Sequence, residues 1–150
     1  SPQNAFLINI GLETLHLRVP RHCESAFKVA SCLQSREDVA WVKYPGLPGD
    51  TYYELAQKYM PKGTCGVISF GLKGGRQAAS VFMDKLKLCS IETHVADSRT
   101  AVLHPASHTH RQLTDEQLVE AGVDPSMIRF SVGLESAGDI IEDIRQALED

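Results

Sequence analysis

Apolar and polar residues alternate along this chain with two different periods, and the switches between them divide it into elements. Ile8, Leu12, Leu15, Val19, Cys23, Ala26, Ala30 and Leu33 follow one another at steps of four and three, an average of about 3.6 residues per turn, the α-helical period. Ser1-Pro2 opens the stretch as an N-cap followed by the residue best tolerated in the first turn. The stripe stays in phase across Pro20. It therefore predicts one long helix over residues 1–35, kinked where the proline removes the bond to the carbonyl of His16. Such a helix would run roughly 50 Å, longer than a compact domain of this chain length is wide. Phe6, Leu7, Ile8, Ile10, Leu12, Leu15 and Leu17 make its first half apolar around much of its circumference. A helix of that kind needs neighbours on most sides, so it is expected to belong to an oligomer interface or to a larger protein.

Shorter segments follow. Val39–Tyr44 alternates as a strand and is ended by the turn residues Pro45-Gly-Leu-Pro-Gly49. Thr51-Tyr-Tyr-Glu54 has capping-box spacing and predicts a short helix, stopped at Pro61-Lys-Gly63. Gly66–Leu72 is a second strand, and Gly74-Gly75 lead into a helix over Arg76–Lys87 with Ala79, Phe82, Met83 and Leu86 on one face. Cys89–Thr93 is a weaker strand, His94–Thr100 is polar and irregular, and Ala101–Leu103 is briefly extended. Thr114-Asp-Glu-Gln117 caps a helix ending at Gly122. Ser136-Ala-Gly-Asp139 opens a last amphipathic helix carrying Ile140, Ile141, Ile144 and Leu148. The order α-β-α-β-α-β-(β)-α-β-α predicts an α/β architecture, a two-layer α+β sandwich.

Between those last two helices, Met127–Glu135 stands out. Val123-Asp124-Pro125 reads as a turn, since proline fixes φ and aspartate bonds its own backbone. Met127, Ile128, Phe130, Val132 and Leu134 make a short apolar strand interrupted by Arg129, a permanent cation. One reading is a structural ion pair with a carboxylate such as Glu135 or Asp139. The other is that the guanidinium fork holds the carboxylate of a small ligand bidentately.

Composition narrows the functional classes. The chain has 150 residues, 43% hydrophobic and 23% charged, which fits one ordinary globular domain. A net charge of −4 argues against nucleic acid or an anionic membrane as the main partner. No apolar run is long enough to span a bilayer, and no signal-peptide pattern opens the chain. Cys23, Cys32, Cys65 and Cys89 lack CxxC spacing and are expected to be reduced thiols of a cytoplasmic protein. Gly71-Leu-Lys-Gly-Gly75 before a helix could cradle an anion, but it matches neither the Rossmann nor the P-loop spacing and reads better as a tight turn. His104, His108 and His110 could offer metal ligands, yet Pro105 makes a regular helix doubtful there; a polar loop facing a cavity is the better reading. No nucleophile–base pair is evident from spacing.

These segments carry a resemblance. Ser1-Pro2 with Gly11-Leu-Glu-Thr-Leu15, Tyr44-Pro-Gly-Leu47, Gly71-Leu-Lys-Gly-Gly75, His104-Pro-Ala-Ser-x-Thr-His-Arg-Gln112 and Ile128-Arg-Phe-Ser-Val-Gly-Leu-Glu135 resemble, in order and over essentially the whole chain, the cystathionine γ-synthase-like family of pyridoxal phosphate (PLP) enzymes. Leu86-Lys-Leu88, the Asp97 loop and Thr109-His-Arg-Gln112 are most similar to its O-acetylhomoserine sulfhydrylase branch. The resemblance implies the C-terminal domain of a type I PLP fold, with a small, mostly antiparallel sheet. Residues 1–35 would lead from a PLP domain and residues 36–150 would form the C-terminal α/β domain. Arg129 would bind the substrate α-carboxylate and Thr100 would line the same pocket. The Schiff-base lysine would lie in the preceding domain, so the 150 residues alone would neither hold PLP covalently nor turn over substrate.

The implied chemistry is replacement of acetate by sulfide or a thiol on O-acetylhomoserine, giving homocysteine for methionine biosynthesis. The implied partners are that amino acid, the PLP domain and further copies in a homo-oligomer. A cystathionine γ-synthase or methionine γ-lyase would share nearly every motif, and a non-catalytic binding or assembly module is the alternative of another class. The chain departs from the family's pattern at Pro20, at Ala96 where glycine is common, at Thr100 where serine is usual, and at His108 where threonine is common.

Overall fold

The computed structural model describes residues 1–149. Its elements, in chain order, are α1 (Pro2–Glu13), α2 (Leu15–Gln34), β1 (Val39–Lys43), α3 (Tyr53–Tyr59), β2 (Val67–Leu72), α4 (Gly75–Lys85), β3 (Ser90–Ile91), β4 (Ala101–Leu103), α5 (Asp115–Glu120), β5 (Met127–Ser131) and α6 (Ala137–Leu148). The strands form one sheet in the order β1-β2-β5-β4-β3. All its pairs are antiparallel except β3 with β4, where Ser90 and Ile91 run parallel to Ala101 and Val102. The mixed α/β architecture and the mostly antiparallel sheet agree with the sequence reading.

The long N-terminal helix is corrected. It is two helices, and the break falls at Thr14 (φ −104°, ψ 4°), whereas Pro20 lies inside α2. Arg18 supplies the reason. Its Nη2 donates to the Gly11 carbonyl at 2.5 Å and its Nε to Thr14 Oγ1 at 3.2 Å. The carbonyl that a continuous helix would offer to Leu15 thus has another donor, and Gly11 with the β-branched Thr14 lowers helix propensity at the same point. Pro20 costs α2 only the bond to His16, whose backbone stands at an exposed position. The apolar stripe divides accordingly: Cys23, Ala26, Ala30 and Leu33 are buried, while Ile8, Leu12, Leu15 and Val19 are exposed and α1 buries no side chain.

Two predicted caps also differ. The Thr51 box does not form; α3 starts from Tyr52 with no side-chain cap bond. Asp50 organises that turn, accepting from the Tyr52 amide at 2.8 Å and the Tyr44 amide at 3.0 Å. Ser136 is the N-cap of α6, but its carbonyl, not its hydroxyl, receives the Asp139 and Ile140 amides. The Thr114 box forms with both of its bonds. The helix expected over Arg76–Lys87 stops at Lys85 because buried Asp143 captures the amides of Lys87, Leu88 and Cys89 at 2.9–3.0 Å. Burial alone would raise the Asp143 carboxyl, but these backbone donors outweigh it and hold it below the usual carboxylate range.

Helices α2, α4 and α6 cover one face of the sheet. Ile68, Phe70, Ile128 and Phe130 from the strands, with Val132 just after β5, meet Val29, Leu33, Phe82, Met83, Ile140 and Ile144 from the helices, all at 3% exposure or less. Phe70 packs edge-on against Phe82 with centroids 5.9 Å apart. Burial of this kind is the main favourable term in the fold. The period of two then sends the intervening residues to the opposite face.

Candidate functional site

On that opposite face, Arg129 stands across from Ser69 on β2 and Leu103 on β4, while Ser131 stands across from Val67 and Ala101. The segment from Thr93 to Thr100 crosses this side and is attached to β5 and the residues after it at regular intervals. Arg129 Nη2 donates to the Thr93 carbonyl at 2.7 Å. The Ala96 amide donates to Ser131 Oγ at 3.1 Å, and the Leu134 amide to the Ser98 carbonyl at 2.8 Å. Thr100 gives its amide and its hydroxyl to the Glu135 carboxylate at 2.8 and 2.9 Å, and its Oγ1 accepts from the Gly133 amide at 2.9 Å. Gly133 is required there, because a Cβ would come within 2.5 Å of the Arg99–Thr100 peptide. Ala96 has φ 59°, the left-handed region that favours glycine.

Arg129 is half-buried, and among the described residues no carboxylate pairs with its guanidinium. The internal ion pair with Glu135 does not form, since both carboxylate oxygens of Glu135 are taken by Thr100. The Arg129 Nε is buried without a partner. A guanidinium bonded only to a backbone carbonyl retains both charge and donors for an incoming carboxylate. Thr100 is fully buried with its hydroxyl committed, so it supports the wall of this site and presents no free donor. The Val123–Pro125 turn that leads into β5 is tied by Asp124, which accepts from the Ser126 amide and hydroxyl at 2.7 and 2.6 Å.

The exposed edge of the loop is polar. His94 Nδ1 lies 2.9 Å from Glu92 and 3.7 Å from Asp97, and Arg99 reaches the same two carboxylates at 3.2 and 3.8 Å. The Arg99 amide bonded to Asp97 holds that carboxyl below its usual range. Glu92, His94 and Asp97 have the donor types of a cation site, but Arg99 already shares their carboxylates.

The histidine-rich loop resolves into structural roles. His104 is fully buried, with Nε2 donating to the Pro125 carbonyl at 2.9 Å and Nδ1 accepting from Ser107 at 2.7 Å; burial pushes its imidazole down from the ordinary value. His108 donates to the His104 carbonyl, and His110 bonds Thr109. Arg76 ties this loop to α4 and α5 through the Ala106 carbonyl at 2.8 Å and Asp115 at 2.5 Å. At Gly71–Gly75 the chain makes a tight turn, with Gly74 and Gly75 at φ 101° and 65°. Gly71 leaves room for the Trp41 ring, which a Cβ would strike. Among the described residues no helix is long and apolar enough to cross a membrane, and all four cysteines are unpaired.

Sequence reasoning picked out Arg129 and Thr100 but missed Ser131 and the Thr93 carbonyl. A serine inside a strand and a main-chain acceptor leave no signal until the chain has folded around them.

Comparison with known proteins places these features in context. The family model for Cys/Met metabolism PLP-dependent enzymes matches residues 1–149. O-acetyl-L-homoserine sulfhydrylase 1 of Thermus thermophilus is 46% identical over 98% of this chain, and the homocysteine synthase of Schizosaccharomyces pombe is 46% identical over 99%. An L-methionine gamma-lyase of Fusobacterium nucleatum is 42% identical over 99%. The chain spans about a third of the length of these relatives, 35–37%. A Campylobacter jejuni crystal structure, assigned as an O-acetylhomoserine (thiol)-lyase and containing a pyridoxyl-lysine phosphate, superposes with a TM-score of 0.91 at 40% identity. That match covers 100% of this chain and 36% of the other.

Proposed function

Because this chain belongs to the Cys/Met metabolism PLP-dependent enzyme family, we propose that it is the substrate-binding C-terminal part of an O-acetylhomoserine sulfhydrylase. The reaction would replace acetate on O-acetylhomoserine by sulfide or a thiol, giving homocysteine. The observation that carries this reading is the Arg129 guanidinium, held by the Thr93 carbonyl and not spent on any carboxylate among the described residues. It would take the α-carboxylate of the amino acid and fix its orientation. Thr100, with Glu135 behind it, holds the wall of the same pocket.

The residues of this chain fit the substrate side of the site and not the anchoring of the cofactor. Lys28, Lys43, Lys58, Lys62, Lys73 and Lys87 are exposed, and Lys85 is half-exposed and bonded to the Glu149 carbonyl. On this reading the lysine that anchors PLP lies outside residues 1–150, and the 150 residues alone would be inactive. When bound, PLP supplies the electron sink for the replacement chemistry. The apolar, exposed surface of α1 suits packing against a PLP-bearing domain or further copies of the enzyme, and a reducing cytoplasm suits the unpaired thiols.

Arg129→Lys in the full-length enzyme tests the reading. The cation stays while the bidentate fork is lost. A charge-assisted bond of about 1.5–3 kcal/mol corresponds to a fall in kcat/KM of roughly 10- to 150-fold, with little change in melting temperature. A loss of stability without a kinetic effect would retire the carboxylate-binding role. The identity to the methionine gamma-lyase keeps elimination as a second reading. Turnover of O-acetylhomoserine with sulfide, set against breakdown of methionine without an acceptor, separates the two.

A further inference from the structure

We propose that Glu135 is a positioning residue for substrate binding: it sets the direction of the Arg129 guanidinium through the Thr93–Thr100 loop. This inference rests on the carboxylate-binding role of Arg129 given above. Glu135 accepts both donors of Thr100, the amide at 2.8 Å and the hydroxyl at 2.9 Å, and Thr100 is fully buried. Thr100 Oγ1 accepts in turn from the Gly133 amide. The arrangement demands two acceptor oxygens on one side chain, which a carboxylate has and a glutamine lacks.

Thr100 closes the loop, and at its other end stands the Thr93 carbonyl, which receives the single side-chain hydrogen bond Arg129 makes among the described residues. Between the two ends the loop is held by Ser131 at Ala96 and by Leu134 at Ser98. With no acidic side chain among the described residues to orient the guanidinium, its direction follows from where Thr93 stands, and Glu135 holds the far end of the segment that decides this. A fork that must meet a carboxylate with two parallel bonds is sensitive to such placement.

The test uses the full-length, PLP-loaded enzyme, with O-acetyl-L-homoserine as the varied substrate and sulfide as acceptor. Glu135→Gln and Thr100→Val should raise KM for the amino acid about ten- to a hundredfold. The same variants should leave kcat within about twofold and KM for sulfide unchanged. Thr100→Ser, which keeps the hydroxyl, should restore KM. Ile144→Ala, a core change in α6, should lower melting temperature and leave KM alone. Hydrogen–deuterium exchange should quicken in residues 93–100 of Glu135→Gln and Thr100→Val, and not in β2.

The inference falls if KM in those two variants moves no more than in Ile144→Ala, or if exchange of the loop is unchanged. Should Glu135→Gln fail to fold, the Thr100→Val and Thr100→Ser pair decides by the same comparison. An unchanged KM in Arg129→Lys overturns the carboxylate reading and this inference with it. A raised KM there, beside an unaffected Glu135→Gln, overturns the positioning role alone.

Discussion

Arg129 and Phe130 are adjacent in one strand and live in different physical regimes. Phe130 faces the helices, fully buried, its ring 6.2 Å from Phe70. Arg129 faces the other side, half-buried, and the loop above it is held by hydrogen bonds. The helix face is held by many weak, undirected contacts, so its stability is distributed. The loop face is held by a few directed bonds, each with an identifiable donor and acceptor. Removing one apolar group should therefore cost the fold, whereas removing one polar group should misplace a specific segment.

The contrast can be broken most forcefully at Phe130. Phe130→Ala is expected to cost about 3–5 kcal/mol in denaturant-induced unfolding, against the near-zero effect of Arg129→Lys. Equal losses at the two positions would show that the faces are not energetically distinct. Asp143 sharpens the comparison, because it is a directed polar group within the helix layer. Asp143→Asn leaves one acceptor oxygen for the amides of Lys87, Leu88 and Cys89 and should cost about 2 kcal/mol near neutral pH.

The pH dependence at Asp143 follows from its depressed folded-state pKa. The carboxylate's contribution is fully present above its unfolded value of about 3.9. It is lost as pH falls through the lower folded value. Unfolding curves of wild type and Asp143→Asn should accordingly converge in acid, and a gap independent of pH would show that the charge is immaterial. Ala96 offers the smallest effect. Its φ of 59° strains any side chain, so Ala96→Gly should raise stability by about 0.5 kcal/mol, the relieved strain being partly offset by glycine's greater chain entropy. A destabilised variant would mean the loop tolerates that backbone geometry without cost.

What could be read from the sequence divides along the same line. The apolar run through Met127–Ser131 was legible as a strand, and Arg129 as its interruption, because both are local features. The Thr114 box was legible for the same reason, both of its bonds lying within three residues. Misreadings arose where a competitor sat nearby but outside the motif: Arg18 took the Gly11 carbonyl and moved the break from Pro20 to Thr14, and Asp50 displaced Thr51. The supports of the loop were least legible. Thr100 and Glu135 are separated by 35 positions, as are Ala96 and Ser131, and no local pattern encodes a bond across that distance. Arg129 and Thr100 were singled out through family resemblance and through the oddity of a cation in an apolar strand.

The sheet order also carries a kinetic meaning. No strand is joined to its neighbour by a tight hairpin: β1 and β2 are separated by α3, β4 and β5 by α5, and the central pair β2–β5 joins Val67–Leu72 to Met127–Ser131. Each doubling of the segment to be closed adds only about 0.6 kcal/mol of entropy, but that cost falls due before any of the distant contacts can reward it. Assembly is therefore expected to be slow for a chain this short, with the central strand docking late. Arg129 arrives on that strand, and Thr93 waits 36 positions upstream. On that order the guanidinium would acquire its direction only in the closing step of folding, and a partly folded chain would carry the right residues without their arrangement.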